Sequence, residues 1–386
     1  MAAPTLITAV RGTDNQSDET RRARDVSPAL AQLEPDAGPL ITLMSKTRSE
    51  SCTDPKYEWF EDELKPRFDL LAAALTAAAA TMTVTNYKFF RKGDLVRVNR
   101  KEIVYVSTTP TSTAVSITRA FGETAAAAAS NSDQLHILGN TNEEGSVRRS
   151  LLSTQKVPKY NYTGIVRDPF GVTKTAMATK TFAGVDFTTE QAKELIEHKK
   201  SIELMNIAGE RKEELTGTKP KRSTRGIRNW ISTNVLNVAG ELTETALDSH
   251  LRVSYRYGAK VKLGLLSPIL AQAINGFAKD RLRVVDKSSV YGVTLSRYEN
   301  AGRVILLAEH QLLANDDLND FNGLAGEGYV IDLEDVKLRY LKGRLTVHNE
   351  NIQANDEDQR IDEYLSEVGF QLALERKHGM FKGVTG

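Results

Sequence analysis

The stretch that most limits what this chain can fold into is "TTEQAKELIEHKKSIELMNIAGERKEEL", Thr188 to Leu215. Thr188 with Gln191 has the form of a capping box. Ala192, Leu195, Ile196, Ile202, Met205 and Gly209 recur at three- and four-residue steps and predict one buried stripe. The spacing predicts a helix over 188–214, about seven turns, which is long for a globular helix. His198 falls on its polar side and reads as solvated.

Strand signals lie on both sides. "TMTVT", "DLVRVN", "EIVYVST", "TAVSIT" and "DQLHIL" are short alternating runs separated by Lys92-Gly93-Asp94, Thr109-Pro110-Thr111 and Asn131-Ser132-Asp133. They predict a small β meander or partial barrel over about 80–140. Ala125 to Ala129 reads as a compact loop within it. Residues 141–186 read as extended, because Pro158 and Pro169 exclude a long helix.

Beyond the long helix, "LTGTKPKRSTRG" reads as a basic link. Helices are predicted with Thr243 and Ser267 as N-caps, the second with Pro268 at its first position. Strands are predicted at "KVKLGLL", "RVILLAEH", "GYVIDLEDVKLRYL" and, as one or two strands, "IDEYLSEVGFQLALERKHGMFKGV". "GLAGEG" reads as a hairpin loop. Helices in the middle and strands at both ends make an α+β pattern, not a βαβ repeat. Residues 11–28 have almost nothing to bury and read as a flexible arm. Ala29 to Ser45 reads as an arm that docks at points.

Charge narrows the function classes. The 51 basic and 50 acidic residues leave a formal charge of +1, which argues against a dedicated nucleic-acid binder. The single cysteine, Cys52, excludes an intrachain disulfide and reads as a buried, inert thiol. The start lacks a basic n-region, and no run approaches the ~18 apolar residues of a membrane helix. These features predict a protein made in a reducing cytoplasm and not inserted in a membrane.

A catalytic or metal site is not legible. "NDEDQRIDEY" (Asn355 to Tyr364) is dense in carboxylates. Counted as a calcium loop from Asp356, however, it places Arg360 at the fifth position and Ile361 at the required glycine. It reads as a solvated, charged loop leading into a strand. "GERKEELTGTKP" has the wrong spacing for a phosphate loop. The six histidines do not pair at zinc spacing, and no serine sits in a nucleophile elbow. The expectation is no enzyme, no metal and no cofactor. The basic "KPKRSTRG" reads as a solvated linker, lacking aromatics for base stacking. "NEEGSVRRS" sets Glu143 and Glu144 beside Arg148 and Arg149, the candidate assembly contacts, since between subunits they would form complementary ion pairs.

"RDVSPALAQLEPDAGPLITLMSK" (24–46), "DQLHILGNTNEEGSVRRSLLSTQKVPKYNYTGIVRDPFGVTKTA" (133–176), "LIEHKKSIELMNIAGERKEE" (195–214) and "NIQANDEDQRIDEYLSEVGFQLALERKHGMFKGVTG" (351–386) resemble the major capsid proteins of tailed bacteriophages. These have the Hong Kong-type capsid fold. The resemblance implies an N-terminal arm at 1–55 and an extended-loop region at 56–186 carrying the β module at about 80–140. It implies a peripheral domain at 187–225 and 329–386 with the long helix as its spine, and an axial domain at 226–328. The acids of 355–364 would lie on a connection between peripheral-domain strands. The β module is a departure from the simplest members.

Self-assembly into hexamers and pentamers of an icosahedral head around double-stranded DNA is implied. So are scaffolding, portal and decoration proteins as partners, non-specific contact with DNA on the inner face, and location in a virion assembled in the bacterial cytoplasm. The alternatives are a β-rich adhesin that binds glycan and a hydrolase with a non-sequential site. Against the adhesin, Trp59 and Trp230 both lie outside the module.

Overall fold

A computed structural model describes residues 39–179, 186–278, 288–290, 293–300, 303–314 and 324–385. The polar stretch 11–28 and the turn at 34–38 lie outside the described residues. The chain divides into two compact units. The first comprises residues 1–58 and 160–386, and the second runs from Trp59 to Lys159. A two-stranded ribbon, Lys56–Glu61 with Val157–Tyr162, leads the chain out of the first unit and back.

In the first unit the spine helix is Asp186–Ala208. It starts two residues before the expected capping box. It also ends six residues early, because Lys212–Glu214 pairs with Lys221–Ser223 as a hairpin. The basic stretch expected to be a link is therefore the second strand of that hairpin. Gly209 and Gly226 explain the stop. The Gly226 amide donates to Gly209 O at 2.8 Å, and a Cβ on Gly226 would lie 2.5 Å from Ile207 O. Only glycine lets the two backbones meet there.

The helix packs on a sheet ordered Ser49–Cys52, Val336–Leu341, Gln359–Leu372, Gly164–Thr173, with Val347–Asn349 also pairing the long strand. Cys52 is buried and donates to Tyr340 O at 3.2 Å, and burial raises its thiol pKa. Part of the arm expected to dock at points forms a helix, Pro39–Thr47, which buries Leu40, Leu43 and Met44.

A second sheet follows the order Val235–Gly240, Gly379–Val384, Gly328–Ile331, Val261–Leu266, Arg303–Glu309, Val293–Asn300, Ser288–Val290. "KVKLGLL" is its buried centre. The helices Glu244–Ser254 and Pro268–Ala278 pack on it through Leu247, Leu251, Leu270 and Ile274. Thr243 Oγ1 accepts from the Ala246 amide and Ser267 Oγ from the Leu270 amide, as their N-cap positions require.

The chain crosses from the first sheet to the second through residues 373–378. Asn234 Nδ2 donates to Arg376 O and His378 O, both at 2.8 Å. Lys262 Nζ, buried, donates to Lys377 O at 2.5 Å and Ser254 O at 2.7 Å. His378 Nδ1 accepts from the Asp332 amide, which leaves Nε2–H to donate to Ala373 O.

The second unit is a closed barrel rather than a partial one. Its sheet runs Phe68–Leu70, Gln134–Asn140, Asp94–Val98, Ile103–Val106, Ala114–Thr118, Thr81–Thr83. The bridge Leu71↔Val84 joins the two edges and removes the exposed backbone rows. Leu71, Met82, Val96, Val104, Val106, Val115 and Leu135 fill the interior. The barrel reaches back to Phe68, before the first alternating run. Ala125–Ala129 is a loop, pinned by buried Glu102. That carboxylate accepts from the Ala120 and Ala127 amides and pairs with Arg119 at 2.6 Å.

Two buried imidazoles, His378 in the crossing segment and His250 in the helix Glu244–Ser254, make stability depend on pH. Burial pushes the imidazoles of His250 and His378 down from 6.5 to about 4. Between those values the unfolded chain binds both protons and the folded chain does not. Their stability contribution is thus fully present above pH ~6.5 and lost as pH falls toward 4. Urea unfolding at pH 7 and pH 5 is expected to differ by about 2 kcal/mol per imidazole. His378→Asn should roughly halve that dependence, leaving the share of His250, and equal slopes for variant and wild type would remove His378 as one of its sources.

Candidate functional site

The inner face of the spine helix is not the apolar stripe of the sequence reading. Ala192 is exposed, and Leu195, Ile196 and Met205 are half-buried. The fully covered residues are His198, Ile202, Glu203, Asn206 and Ile207. Polar side chains on this face need partners from other elements, since an unpaired buried polar group costs about 1–3 kcal/mol.

His198, expected to be solvated, is buried. Its Nδ1 lies 2.6 Å from Asp168 Oδ2 and its Nε2 lies 2.7 Å from Ser366 Oγ. Serine, imidazole and carboxylate thus stand in the order of a nucleophile relay. Ser366 is 0 % exposed and is further covered by the Thr346 hydroxyl at 3.1 Å. No substrate carbonyl reaches its oxygen in this arrangement. What the relay does instead is fasten the helix to two adjacent strands. The sequence carried one signal of this: His198 precedes Ile202 by four residues and shares its stripe.

Glu203 makes the second fastening. It accepts from the Leu40 amide at 2.8 Å and the Ile41 amide at 2.7 Å, and its Oε1 lies 2.7 Å from His310 Nε2. A carboxylate on the first free amides of the Pro39–Thr47 helix caps that helix and complements its dipole. A third hub is Asn161, also fully buried. Its Nδ2 donates to Thr224 Oγ1, Arg225 O and Phe370 O, and its Oδ1 accepts from the Tyr162 and Arg225 amides.

The acidic stretch splits in two. Asp356, Glu357 and Asp358 are exposed on a turn, as expected of a solvated loop. Asp362 and Glu363 are not solvated: they lie buried in the long strand. Burial raises the Asp362 carboxyl pKa, but hydrogen bonds from Arg360 and the Asn351 amide outweigh it and hold the group below its ordinary value. Glu363 takes a bidentate pair from Arg167 at 2.8 and 3.0 Å. Among the described residues no group of three or more His, Cys, Asp or Glu is arranged to hold a metal ion.

The four candidate contact residues lie in the second unit, after the last barrel strand. Glu143, Glu144 and Arg148 are exposed around a turn at Gly145, where φ is +72°. Arg149 is drawn away from them. Its guanidinium pairs with Asp94 at 2.5 Å and donates to Lys92 O at 3.0 Å. Val147 and Leu151, on either side of the arginines, are each 90 % exposed.

The model of the family described as SU10 major capsid protein matches residues 7–385. A major capsid protein of Pseudomonas phage PaMx41 is 22 % identical over 331 residues, covering 80 % of this chain and 76 % of that one. Among solved structures, the capsid of a native GTA particle aligns with a TM-score of 0.51 at 10 % identity, over 98 % of this chain and 100 % of the other. A chain of Mycobacterium phage Ogopogo aligns with the same score, identity and coverage. At such identity these two likenesses show the fold alone.

The His198 relay is expected to be structural. His198→Ala should lower stability by about 2–4 kcal/mol in thermal or urea unfolding, because Asp168 and Ser366 both lose a partner. A serine-directed phosphonate should leave native Ser366 unlabelled. Labelling by mass spectrometry would overturn the closed reading.

Proposed function

The chain belongs to the SU10 major capsid protein family, and we propose that it assembles into hexamers and pentamers of an icosahedral phage head enclosing double-stranded DNA. The family match across nearly the whole chain carries this reading. In it the protein is a structural component of the virion with no catalytic role of its own. It assembles in the bacterial cytoplasm with a separate scaffolding protein, a portal and decoration proteins, and it touches packaged DNA without sequence preference. We assign residues 1–55 to the arm, 56–186 to the extended-loop region with its β module, 187–225 and 329–386 to the peripheral domain, and 226–328 to the axial domain, except that the strands Gly328–Ile331 and Gly379–Val384, which join the second sheet, go with the axial domain.

The surface is suited to being covered by neighbours. Leu64, Val147 and Leu151 are each at least 90 % exposed, all within the extended-loop region. Covering these side chains with a neighbouring subunit would remove their apolar area from water. Glu143, Glu144 and Arg148 supply exposed charge beside two of them, and we place these three among the intersubunit contacts. Arg149 has a different primary role: it closes the segment onto the barrel through Asp94.

Electron microscopy and sedimentation of the expressed protein, with and without its scaffold, test the reading. Shells or ring capsomers are expected, and small particles under every condition would sink it. The two arginines should separate. Arg148→Glu is expected to leave melting unchanged and to lower shell yield. Arg149→Glu should cost about 3 kcal/mol of stability, because it strands the buried Asp94.

A further inference from the structure

The spine helix and the strand Gly164–Thr173 lie against each other, and the two ends of this pair carry opposite exposed charge. At one end Thr173 is opposite Gln359, the Lys174 amide donates to Asp358 O at 3.3 Å, and Arg360 lies over the Phe187 ring. The exposed turn of Asp356, Glu357 and Asp358 stands there. At the other end Gly164 is opposite Val368, and the hairpin of Lys212–Glu214 with Lys221–Ser223 begins. Tyr162 Oη donates to Glu213 at 3.1 Å and Arg211 donates to Tyr160 O at 2.8 Å, which ties the hairpin base to that end.

The hairpin exposes Lys212, Lys219 and Lys221, and none has an ion-pair partner among the described residues. Asp356 also has none there, and Asp358 has only an exposed Lys174 at 3.5 Å. The 10-residue strand, at about 3.3 Å per residue, sets the two ends roughly 30 Å apart. That is several Debye lengths at physiological salt, so the two charged ends do not neutralise each other within one subunit. They do so when one subunit's basic end meets another's acidic end. Each end also exposes an apolar side chain, Leu215 at 69 % and Ile352 at 44 %. The contact between Gly209 and Gly226 fixes the hairpin base, so little ordering is left for binding.

We infer that the lysine hairpin of one subunit docks head to tail on the Asp356–Asp358 turn of a second copy. Such a contact joins two different patches, and therefore repeats from subunit to subunit and closes into rings when the rotation permits. It rests on the capsid reading above and adds a named pair of surfaces to it.

Charge reversal tests the pairing. One chain carries Lys212→Glu, Lys219→Glu and Lys221→Glu. A second carries Asp356→Lys, Glu357→Lys and Asp358→Lys, and a third carries all six changes. Each single-sided chain is expected to melt like wild type and to lose assembly about tenfold or more by sedimentation. The six-fold chain should regain it, because its two patches are again complementary. Lys→Gln at the same three positions, which removes charge without reversing it, should give a smaller loss in the same direction and covers any folding defect of the reversed chain.

Single-sided chains that assemble like wild type, or a six-fold chain no better than either, would overturn the inference and leave the capsid reading intact. Wild type that never forms rings or shells is the separate failure of that reading. Normal assembly combined with loss of double-stranded DNA binding in the lysine variants would assign the hairpin to packaged genome instead, and would also overturn the self-contact.

Discussion

A buried carboxylate on the spine helix ties together three distant parts of the chain. Glu203 has no access to water, and an isolated charge in that position would be prohibitively costly. It is tolerated because two amides of the Pro39–Thr47 helix and the imidazole of His310 converge on it. One of those partners lies 163 residues away in sequence and another 107. The arm helix, the spine and the strand end leading to His310 are thus set by one requirement, that the charge be satisfied. His198 imposes the same kind of requirement on the strands that carry Asp168 and Ser366.

A helix held by directional polar contacts behaves differently from one held by an apolar stripe. Apolar faces tolerate sliding, whereas hydrogen bonds to fixed partners at 2.6–2.7 Å do not. The spine, the sheet beneath it and the hairpin at its end consequently form a frame whose exposed charges sit at defined places. In the proposed shell the same contact would repeat many times, so an error in the angle of one contact would accumulate around a ring. The β module solves a separate problem. Its barrel closes through Leu71 and Val84 and fills its own interior, so it is inserted between strands of the ribbon without relying on the spine's polar network.

Much of this was legible in sequence, for identifiable reasons. The caps at Thr243 and Ser267 are local chemistry, and they sit where a hydroxyl meets a free helix amide. The barrel strands announced themselves by alternation, because each has one face in a private core. The spine's existence was legible, but its buried face was not. Periodicity assigns the inside by counting apolar residues, and here the inside holds His198, Glu203 and Asn206. The basic stretch at 219–226 looked like a link for a related reason: a three-residue strand has too short a pattern to register.

The sequence by itself determined the α+β class, the long helix, the β module and the family, because these depend on local propensity, periodicity and ordered motifs. The tertiary structure alone decided which polar groups are buried and with whom. It turned the acidic stretch into an exposed turn followed by the buried Asp362 and Glu363, gave Arg149 to Asp94 while leaving Arg148 exposed, and placed the lysine hairpin and the acidic turn at opposite ends of one strand. A side chain's charge is written in the sequence. Its desolvation and its partner depend on segments brought together from 55 residues apart, as for Arg149 and Asp94, to 196 apart, as for Arg167 and Glu363, and no local pattern encodes that distance.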